Sequence, residues 1–283
     1  MPADLHLHTL HSDGSWTPTQ VVEAACEQGL QCIAITDHDT VAGIAEAQRV
    51  AAARVEVIPG IEINTVYATA NGERLDVHIL GYFIDTDNAD LRKTMQRQQD
   101  ARHQLVADTI VRCNKLGIDL QMQHVIECAG TGSIGRPHLS RAIVKAGGAK
   151  DVTEAFSRFM SRESPDFIPR NSITPQEAIQ AIESAGGIAS IAHPGKNERM
   201  ERVILELKEA GLRAVEAYHR SHSLELVKQY LRLAAINHML ATGGSDCHGP
   251  SDGYPASIGS VKVPIDVVLA LKSAVPARTE AAI

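Results

Sequence analysis

Short runs of aliphatic and β-branched residues recur along the 283-residue chain, and most of them lead into a longer segment with helical apolar spacing. This alternation is typical of β/α units around a parallel sheet, and no other feature of the sequence constrains the fold as much. The predicted strands cover residues 3–7, 32–36, 55–64, 75–84, 187–192, 212–217 and 239–243. The sequence therefore predicts an α/β fold whose repeated units can close into a barrel.

Local signals refine the order of these units. Residues 67–75, "YATANGERL", contain an Asn-Gly turn signal, so the fourth strand could instead be the hairpin partner of the third. Thr17 and Thr174 are each followed by a proline and, three positions after the threonine, by Gln or Glu, which predicts a capped helix start at both places. These helices are expected to end near Gly29 and Gly186.

Residues 87–170 interrupt the β/α pattern. They show helical spacing and no convincing strand, so we predict an inserted helical cap domain at 87–170 and a barrel domain made of 1–86 plus 171–283. The helical patterns within the cap cover 91–116, 122–129, 137–145 and 152–160. Since an excursion between two barrel strands commonly lies beside the site, the cap is expected to contact the substrate.

Composition limits the class of partner. The net charge of -7 argues against an extended surface for duplex nucleic acid, although a local cationic site could still hold a small anion. The five cysteines show no CxxC spacing, and their odd number indicates reduced thiols, so we expect a cytoplasmic protein. No apolar run approaches the ~20 residues that span a bilayer. The N-terminus shows no signal-peptide pattern, and no membrane partner is expected.

Groups that can bind metals recur at or near the ends of the predicted strands. His6 and His8 are two apart on one strand and so face the same side, and Asp246 and His248 repeat that spacing far along the chain. Because the C-terminal ends of parallel strands meet at the mouth of a barrel, such residues become neighbours there. The candidate ligands are His6, His8, Asp13, His38, Glu62, His78, His193, Asp246 and His248.

This set of ligands exceeds what one ion needs, so the sequence predicts two or three divalent metals that share at least one carboxylate. Ligation by imidazole and carboxylate without thiolate favours Mn²⁺, with Zn²⁺ or Fe²⁺ as alternatives, over Mg²⁺ or Ca²⁺. A single His-x-His pair is more often a coincidence than a ligand pair. The recurrence of such groups in chain order is what indicates a metal site.

Other polar residues near these groups carry less information. Asp37 and Asp39 could orient a neighbouring ligand or simply form the turn after the second strand, and we expect the first role for only one of them. Five further histidines do not belong to the recurring groups at the strand ends, and we expect them at the surface or satisfied by hydrogen bonds. They are His11, His103, His124, His222 and His238.

The segments that hold the candidate ligands resemble the PHP phosphoesterase superfamily. The resemblance rests on the His-x-His pair, "SDG", "TDHDT", "PGIE", the histidine of the fourth strand, "AHPG" and "SDCHG", and it covers nearly the whole chain with every ligand position filled. It implies a distorted barrel of seven β/α units with up to three metals at its mouth. By this resemblance the first metal would be held by His6, His8, Glu62 and Asp246, the second by Glu62, His78 and His193, and the third by Asp13, His38 and His248.

The segment "GTGSIGRPHLSRAIVKAG" resembles stand-alone PHP proteins with a small helical cap. That subgroup includes 3′,5′-nucleoside bisphosphate phosphatases and 5′→3′ exoribonucleases that trim short RNAs. The resemblance implies removal of the 3′-phosphate from a small anionic nucleotide, a nucleoside 3′,5′-bisphosphate, to give the 5′-monophosphate and phosphate. The alternatives are trimming of short single-stranded RNA, another small-molecule phosphatase such as a histidinol-phosphate phosphatase, and a metal-binding module without catalysis.

Several residues are candidates for catalysis and for binding a second phosphate. Asp13 and His248 would take part in catalysis as metal ligands, and His219, just past the sixth strand, is the candidate general acid or simply a hydrogen-bonding barrel residue. Cationic groups outside the metal cluster would hold a second phosphate, assisted by the helix start that Pro137 marks. The candidates are Arg102, Arg136, His138, Lys196 and Arg220, any of which could instead be a solvated surface charge, above all Arg102 and Lys196.

Overall fold

The computed structural model describes residues 2–130, 132–195, 198–250 and 256–276. The strands in these residues are β1 Pro2–Leu7, β2 Cys32–Ile35, β3 Glu56–Ala68, β4 Arg74–Tyr82, β5 Ile188–Ile191, β6 Ala214–His219, β7 Leu240–Gly244 and β8 Val263–Pro264. They form one sheet in the order β7-β6-β5-β4-β3-β2-β1-β8. The predicted α/β class and the predicted strands are confirmed, and β8 was missed because it has only 2 residues.

The direction of β4 departs from a uniformly parallel barrel. Strands β1, β2 and β3 pair in parallel, as do β5, β6 and β7, but β4 is antiparallel to both β3 and β5. β3 and β4 form a long hairpin in which Asn64 lies opposite His78. The hairpin alternative was therefore correct, and the Asn71-Gly72 signal explains it, since Gly72 adopts a φ of 83° in the connection.

The sheet nearly closes into a barrel because β1 also approaches β7. Leu7 and Cys247 form a parallel bridge, and the backbone N–H of His8 donates to the carbonyl of Cys247 at 2.9 Å. A Cβ at Gly244 would lie 2.4 Å from the backbone nitrogen of His6, so only glycine permits this approach. The end of β1 and the segment after β7 are thus joined beside each other.

The helices in the described residues are α1 Pro18–Glu27, α2 Ile44–Ala51, α3 Ala89–Lys115, α4 Met122–Ala129, α5 Arg136–Lys145, α6 Val152–Phe159, α7 Pro175–Ser184, α8 Glu198–Lys208, α9 Leu224–Ile236 and α10 Ile265–Ala274. α1 and α7 begin at the predicted caps, where Thr17 and Thr174 each form a capping box. None of these helices combines the length and the apolar character that a membrane span requires.

The last part of β1 separates an apolar core from the barrel interior. Leu7 is buried in the apolar cluster that it shares with residues of α1 and α2, whereas Leu5 belongs to a second cluster, and the pairing of β1 with β2 shifts register between Asp4 and Leu7. His6 and His8 flank Leu7, so they point to the other side of the sheet, where they are also buried. The histidine pair therefore faces the inside of the barrel.

Four helices, α3 to α6, lie between β4 and α7. The first turns of α3 belong to the main core, to which Leu91 and Met95 contribute. Farther along α3, Val106 and Cys113 join a separate apolar cluster that includes residues of α4, α5 and α6. This segment thus has an apolar cluster of its own and is tied to the barrel through the start of α3. The domain boundaries at 87 and 170 remain a prediction.

Removing the cap of α7 should destabilise the protein measurably. The Thr174 hydroxyl accepts a hydrogen bond from the backbone N–H of Glu177 at 3.2 Å, and Thr174→Ala leaves that group without its partner. We expect a loss of about 1 kcal/mol in the free energy of unfolding, measured by urea denaturation. Thr174→Ser keeps the hydroxyl and should remain close to wild type. An equal loss in both variants would contradict the capping role.

Candidate metal centre

A buried glutamate on β3 lies at the centre of the candidate ligands. One oxygen of its side chain, Oε2 of Glu62, lies 3.3 Å from Nε2 of His6, 3.3 Å from Nε2 of His8 and 3.0 Å from Nδ1 of His38. His6 and His8 come from β1 and the residue after it, and His38 follows β2 and forms a parallel bridge with Glu62. One carboxylate oxygen therefore faces three imidazole nitrogens.

The other oxygen of Glu62 faces two further histidines. Oε1 lies 2.8 Å from Nδ1 of His78 on β4 and 3.0 Å from Nε2 of His193, which follows β5. We expected His78 at the C-terminal end of a parallel strand. It lies instead inside the antiparallel strand β4, and the pairing of β4 with β3 brings it beside Glu62. Its Nε2 lies 3.1 Å from Nδ2 of Asn64, whose Oδ1 accepts a hydrogen bond from Arg102 of α3.

Two aspartates complete the cluster. Oδ1 of Asp246, just past β7, lies 3.2 Å from Nε2 of His8. Oδ1 of Asp13 lies 3.2 Å from Nε2 of His248, and its Oδ2 lies 3.8 Å from Nε2 of His38. The structure thus brings all the candidate ligands of the sequence analysis together at one end of the barrel.

Several buried polar atoms of the cluster have no hydrogen-bond partner, although they face one another. They are Nε2 of His6 and His8, Nδ1 of His38, Oδ1 of Asp13 and Oε2 of Glu62. Buried polar groups rarely remain unpaired, and metal coordination would satisfy these. The sets whose ligand atoms lie within 4.8 Å of one another are His8–Asp13–His38–His248, His6–Glu62–His193, His6–His8–Asp246 and His38–Glu62–His78. The donor chemistry therefore fits divalent metals that share ligands.

The ionisation of the cluster also suits a cation. Burial opposes ionisation of Glu62, Asp13 and Asp246, but nearby histidine charge outweighs it and holds the pKa of each carboxyl well below its usual range. Burial lowers the pKa of His78 to about 4, so its ring is neutral at pH 7. Burial also opposes the charged form of His8, yet Asp246 and Glu62 raise its pKa to about 10. Protonated histidines thus compensate the buried carboxylates, and a metal that displaced those protons would take over this role.

A glutamate that the sequence analysis passed over supports two of the candidate ligands. Glu216 on β6 accepts a hydrogen bond from Nδ1 of His6 at 2.9 Å and from the backbone N–H of His193 at 2.6 Å. This bond leaves Nε2 of His6 free to face Glu62. A carboxylate in such a position fixes the tautomer and the orientation of a ligand. The sequence contained one signal that could have indicated this role of Glu216, namely a carboxylate flanked by apolar residues inside a predicted strand.

Both aspartates of "TDHDT" are buried and hydrogen-bonded. Asp37 accepts hydrogen bonds from the backbone N–H and the hydroxyl of Thr9, each at 2.7 Å, and from the hydroxyl of Ser12 at 2.6 Å. It therefore holds the loop that carries candidate ligands after β1. Asp39 instead accepts a hydrogen bond from Nε of Arg102 at 2.7 Å, which connects the barrel to α3.

His219 lies at the edge of the cluster. The backbone N–H of Ser221 donates to its Nδ1 at 3.2 Å, so the proton of the neutral ring belongs on Nε2. That nitrogen is buried and lies 3.6 Å from Oδ2 of Asp246. His219 thus presents an N–H toward the candidate ligands.

A cleft of about 450 Å³ opens onto the cluster. Its lining includes the candidate ligands Asp13, His38, His78 and His193 and the arginines Arg102, Arg136 and Arg170. Arg102 is only 6% exposed and pairs with Asp39, so the expectation of a solvated surface charge is wrong for it. Arg170 was not predicted; burial lowers its pKa to about 10, which leaves it charged at neutral pH.

Two other residues proposed for phosphate binding, His138 and Arg220, do not line this cleft. His138 is buried, its Nδ1 accepts a hydrogen bond from the backbone N–H of Gly135 at 3.1 Å, and burial lowers its pKa to about 4. It is therefore neutral at pH 7 and is not a cationic clamp. Arg220 is exposed and does not line the cleft. Lys196 lies outside the described residues.

Comparison with known proteins agrees with this architecture. The PHP domain family matches residues 4–230, and the chain belongs to that family. The 3′,5′-nucleoside bisphosphate phosphatase of Chromobacterium violaceum is 30% identical to this chain in an alignment of 263 positions, with 88% of each protein covered. The 5′-3′ exoribonuclease Rnm of Escherichia coli is 32% identical in an alignment of 254 positions, with 87% of this chain and 85% of the relative covered.

Solved structures give the same assignment. A proposed metal-dependent phosphoesterase from Bifidobacterium adolescentis has a TM-score of 0.84 and 30% sequence identity, with 96% of this chain and 97% of that chain covered. Together with the clustered histidines and carboxylates, these findings support a metal-dependent phosphoesterase, a hydrolase.

Removing the charge of Glu216 should weaken metal binding. Glu216→Gln keeps the shape of the side chain, but its single oxygen cannot accept from both His6 and His193. We expect a loss of about 10- to 100-fold in affinity for Mn²⁺, measured by calorimetric titration of the metal-depleted protein. Glu225→Gln, on the exposed start of α9, is the matched control and should bind Mn²⁺ like wild type. Unchanged affinity in Glu216→Gln would show that this carboxylate does not support the ligands.

Proposed function

We propose that the protein removes the 3′-phosphate from nucleoside 3′,5′-bisphosphates to give nucleoside 5′-monophosphates and phosphate. The cleft carries this proposal, because candidate metal ligands and three arginines line the same space of about 450 Å³. Such a lining suits a small substrate with two separate anionic groups. The activity named for the Chromobacterium violaceum relative supports the same substrate class.

The metals would lie between the clustered histidines and carboxylates. The proposed ligands are His6, His8, Asp13, His38, Glu62, His78, His193, Asp246 and His248, with Mn²⁺ preferred and Zn²⁺ or Fe²⁺ as alternatives. When bound, such metals lower the pKa of a coordinated water and neutralise charge on the phosphate. Their positive charge is local, which reconciles an anionic substrate with the net charge of -7.

His219 is the proposed general acid. In its imidazolium form, Nδ1 would donate to the Ser221 hydroxyl 2.8 Å away, and the Nε2 proton would pass to the 3′-oxygen of the ribose as the phosphate leaves, which leaves a neutral ring. Asp246, 3.6 Å from Nε2, would keep the ring facing the cluster. Asp13 and His248, whose side chains lie 3.2 Å apart, would take part in catalysis as ligands.

Arg136 is the proposed contact for the second phosphate. It shares one carboxylate, Asp76, with Arg162, so the three side chains together keep one positive charge. Of the two arginines, Arg136 lines the cleft and Arg162 does not. Because α5 begins at Arg136, its free backbone amides would add to the attraction for an anion. We assign this end of the cleft to the proposed cap domain, residues 87–170.

A second candidate activity is trimming of short single-stranded RNA from its 5′ end. It is favoured by the Escherichia coli relative, an exoribonuclease that matches over the same part of the chain. The hydrolysis of a 3′-phosphoester beside a 5′-phosphate is common to both activities. A 5′-phosphorylated, end-labelled oligoribonucleotide distinguishes them, since the exonuclease yields a ladder of shortened products and the phosphatase removes only a terminal phosphate.

The proposed phosphate contact predicts a substrate-dependent defect. Wild type with Mn²⁺ should release phosphate from adenosine 3′,5′-bisphosphate. Arg136→Met should lower kcat/KM for this substrate about 10- to 150-fold, the range for a lost charge-assisted hydrogen bond. For adenosine 3′-monophosphate, which lacks the 5′-phosphate, the kcat/KM of the same variant should change little. Phosphate release at several substrate concentrations measures both.

Arg162→Met is the matched control, because Arg162 pairs with the same aspartate but lies outside the lining of the cleft. It should remain close to wild type with both substrates. Equal losses in the two variants would assign the effect to Asp76 and not to phosphate binding. If wild type leaves the bisphosphate intact with Mn²⁺, Zn²⁺ and Fe²⁺, the proposed function is wrong.

A further inference from the structure

An aromatic side chain stands at the mouth of the cleft. Phe156 on α6 is 41% exposed, and among the large exposed apolar side chains of the described residues it is the one aromatic. It lines the cleft that also contains the candidate ligands and the arginines. On its other side it lines a shallow outer pocket with Val152, Thr153, Ser157 and Ser161.

Packing of α6 does not require this aromatic ring. Ala155 and Phe159 are the buried residues of α6 and join the apolar cluster of the α3 to α6 segment. Phe156 lies on the side of the helix turned toward the cleft and solvent. α6 packs against α5, whose first residue is Arg136, and the exposed ring and the proposed phosphate contact line the same cleft.

We infer that Phe156 is the platform on which the base of the nucleotide substrate stacks. This inference rests on the proposed function and adds a specificity-determining residue to it. A substrate phosphate held by Arg136 would carry its base within reach of the cleft mouth, where a flat apolar surface is available. Stacking on an aromatic face is tolerant of base identity, because every base has a π-face. The enzyme should therefore favour nucleotides over sugar phosphates while accepting all four bases.

A protein partner is a weaker explanation for the exposed ring. The apolar part of the outer pocket is limited to Phe156 and Val152, and its other lining residues carry hydroxyl groups. An extended apolar patch, which a protein interface would need, is absent from this pocket. The continuity of the ring with the cleft instead points to the substrate.

The test compares substrates with and without a base. Phe156→Ala should raise KM for adenosine 3′,5′-bisphosphate about 5- to 150-fold, the range for one lost base–aromatic stack. It should leave unchanged the KM for an abasic analogue in which hydrogen replaces the base. Phe156→Tyr should retain wild-type KM, and Phe156→Leu should resemble Phe156→Ala, because leucine keeps apolar volume without a flat ring. Val152→Ala, in the outer pocket but not in the cleft, is the control for the surface of α6.

Binding measurements separate this inference from the proposed function. Calorimetry with the Mn²⁺-loaded protein should show that Phe156→Ala weakens the binding of adenosine 5′-monophosphate but not the binding of ribose 5-phosphate. This result does not depend on whether the bisphosphate is hydrolysed. Equal weakening of both ligands, or full rescue by leucine, would overturn the stacking role. The stacking role would also be overturned if Phe156→Ala changed the oligomeric state, seen by light scattering, while its affinity for the nucleotide stayed the same. Thermal unfolding of each variant shows whether the fold is retained.

Discussion

The structure depends on one buried carboxylate whose charge is balanced by imidazoles. Glu62 is fully buried, and five histidines from four other strands or their ends face its two oxygens. Removing a carboxylate from water costs several kcal/mol unless close partners compensate. The partners come from β1, β2, β4 and β5, so the cluster around Glu62 forms only when these strands are assembled with β3 in one sheet. Metals would replace histidine protons as the compensating charge, which links folding to metal binding.

The reversal of β4 explains the length of the helix that follows. In a parallel barrel, β4 would end at the mouth, but here its last residue, Tyr82, lies opposite Gly60 near the start of β3, at the far end of the hairpin from its turn. The chain must return along the barrel before it can cover the cluster. At about 1.5 Å per residue, the 27 residues of α3 span about 40 Å. Near the middle of this helix, Arg102 reaches Asp39 and Asn64 beside the candidate ligands.

Much of the fold and of the ligand set could be predicted because each follows from local periodicity. The two-residue spacing of His6 and His8 and the runs around them are visible in the sequence. The sequence allowed β4 to be either a further parallel strand of the barrel or the hairpin partner of β3. Only the pairing of whole strands decides between these two connections. The roles of Glu216 and Arg170 depend on contacts between distant segments, with His6 and Asn64. For Arg102, the sequence shows a charge on a polar helix but not the buried Asp39 that pairs with it.

The two ends of the cleft come from different parts of the chain. The strands and the segments that follow them supply the candidate metal ligands, and the segment with α3 to α6 supplies Arg102, Arg136 and Phe156. Substitutions in the helices can therefore change which phosphate ester fits without disturbing the histidines and carboxylates. One exception is the chain of contacts from Arg102 through Asn64 to His78, where the two ends meet. A change at Arg102 would affect recognition and the cluster together.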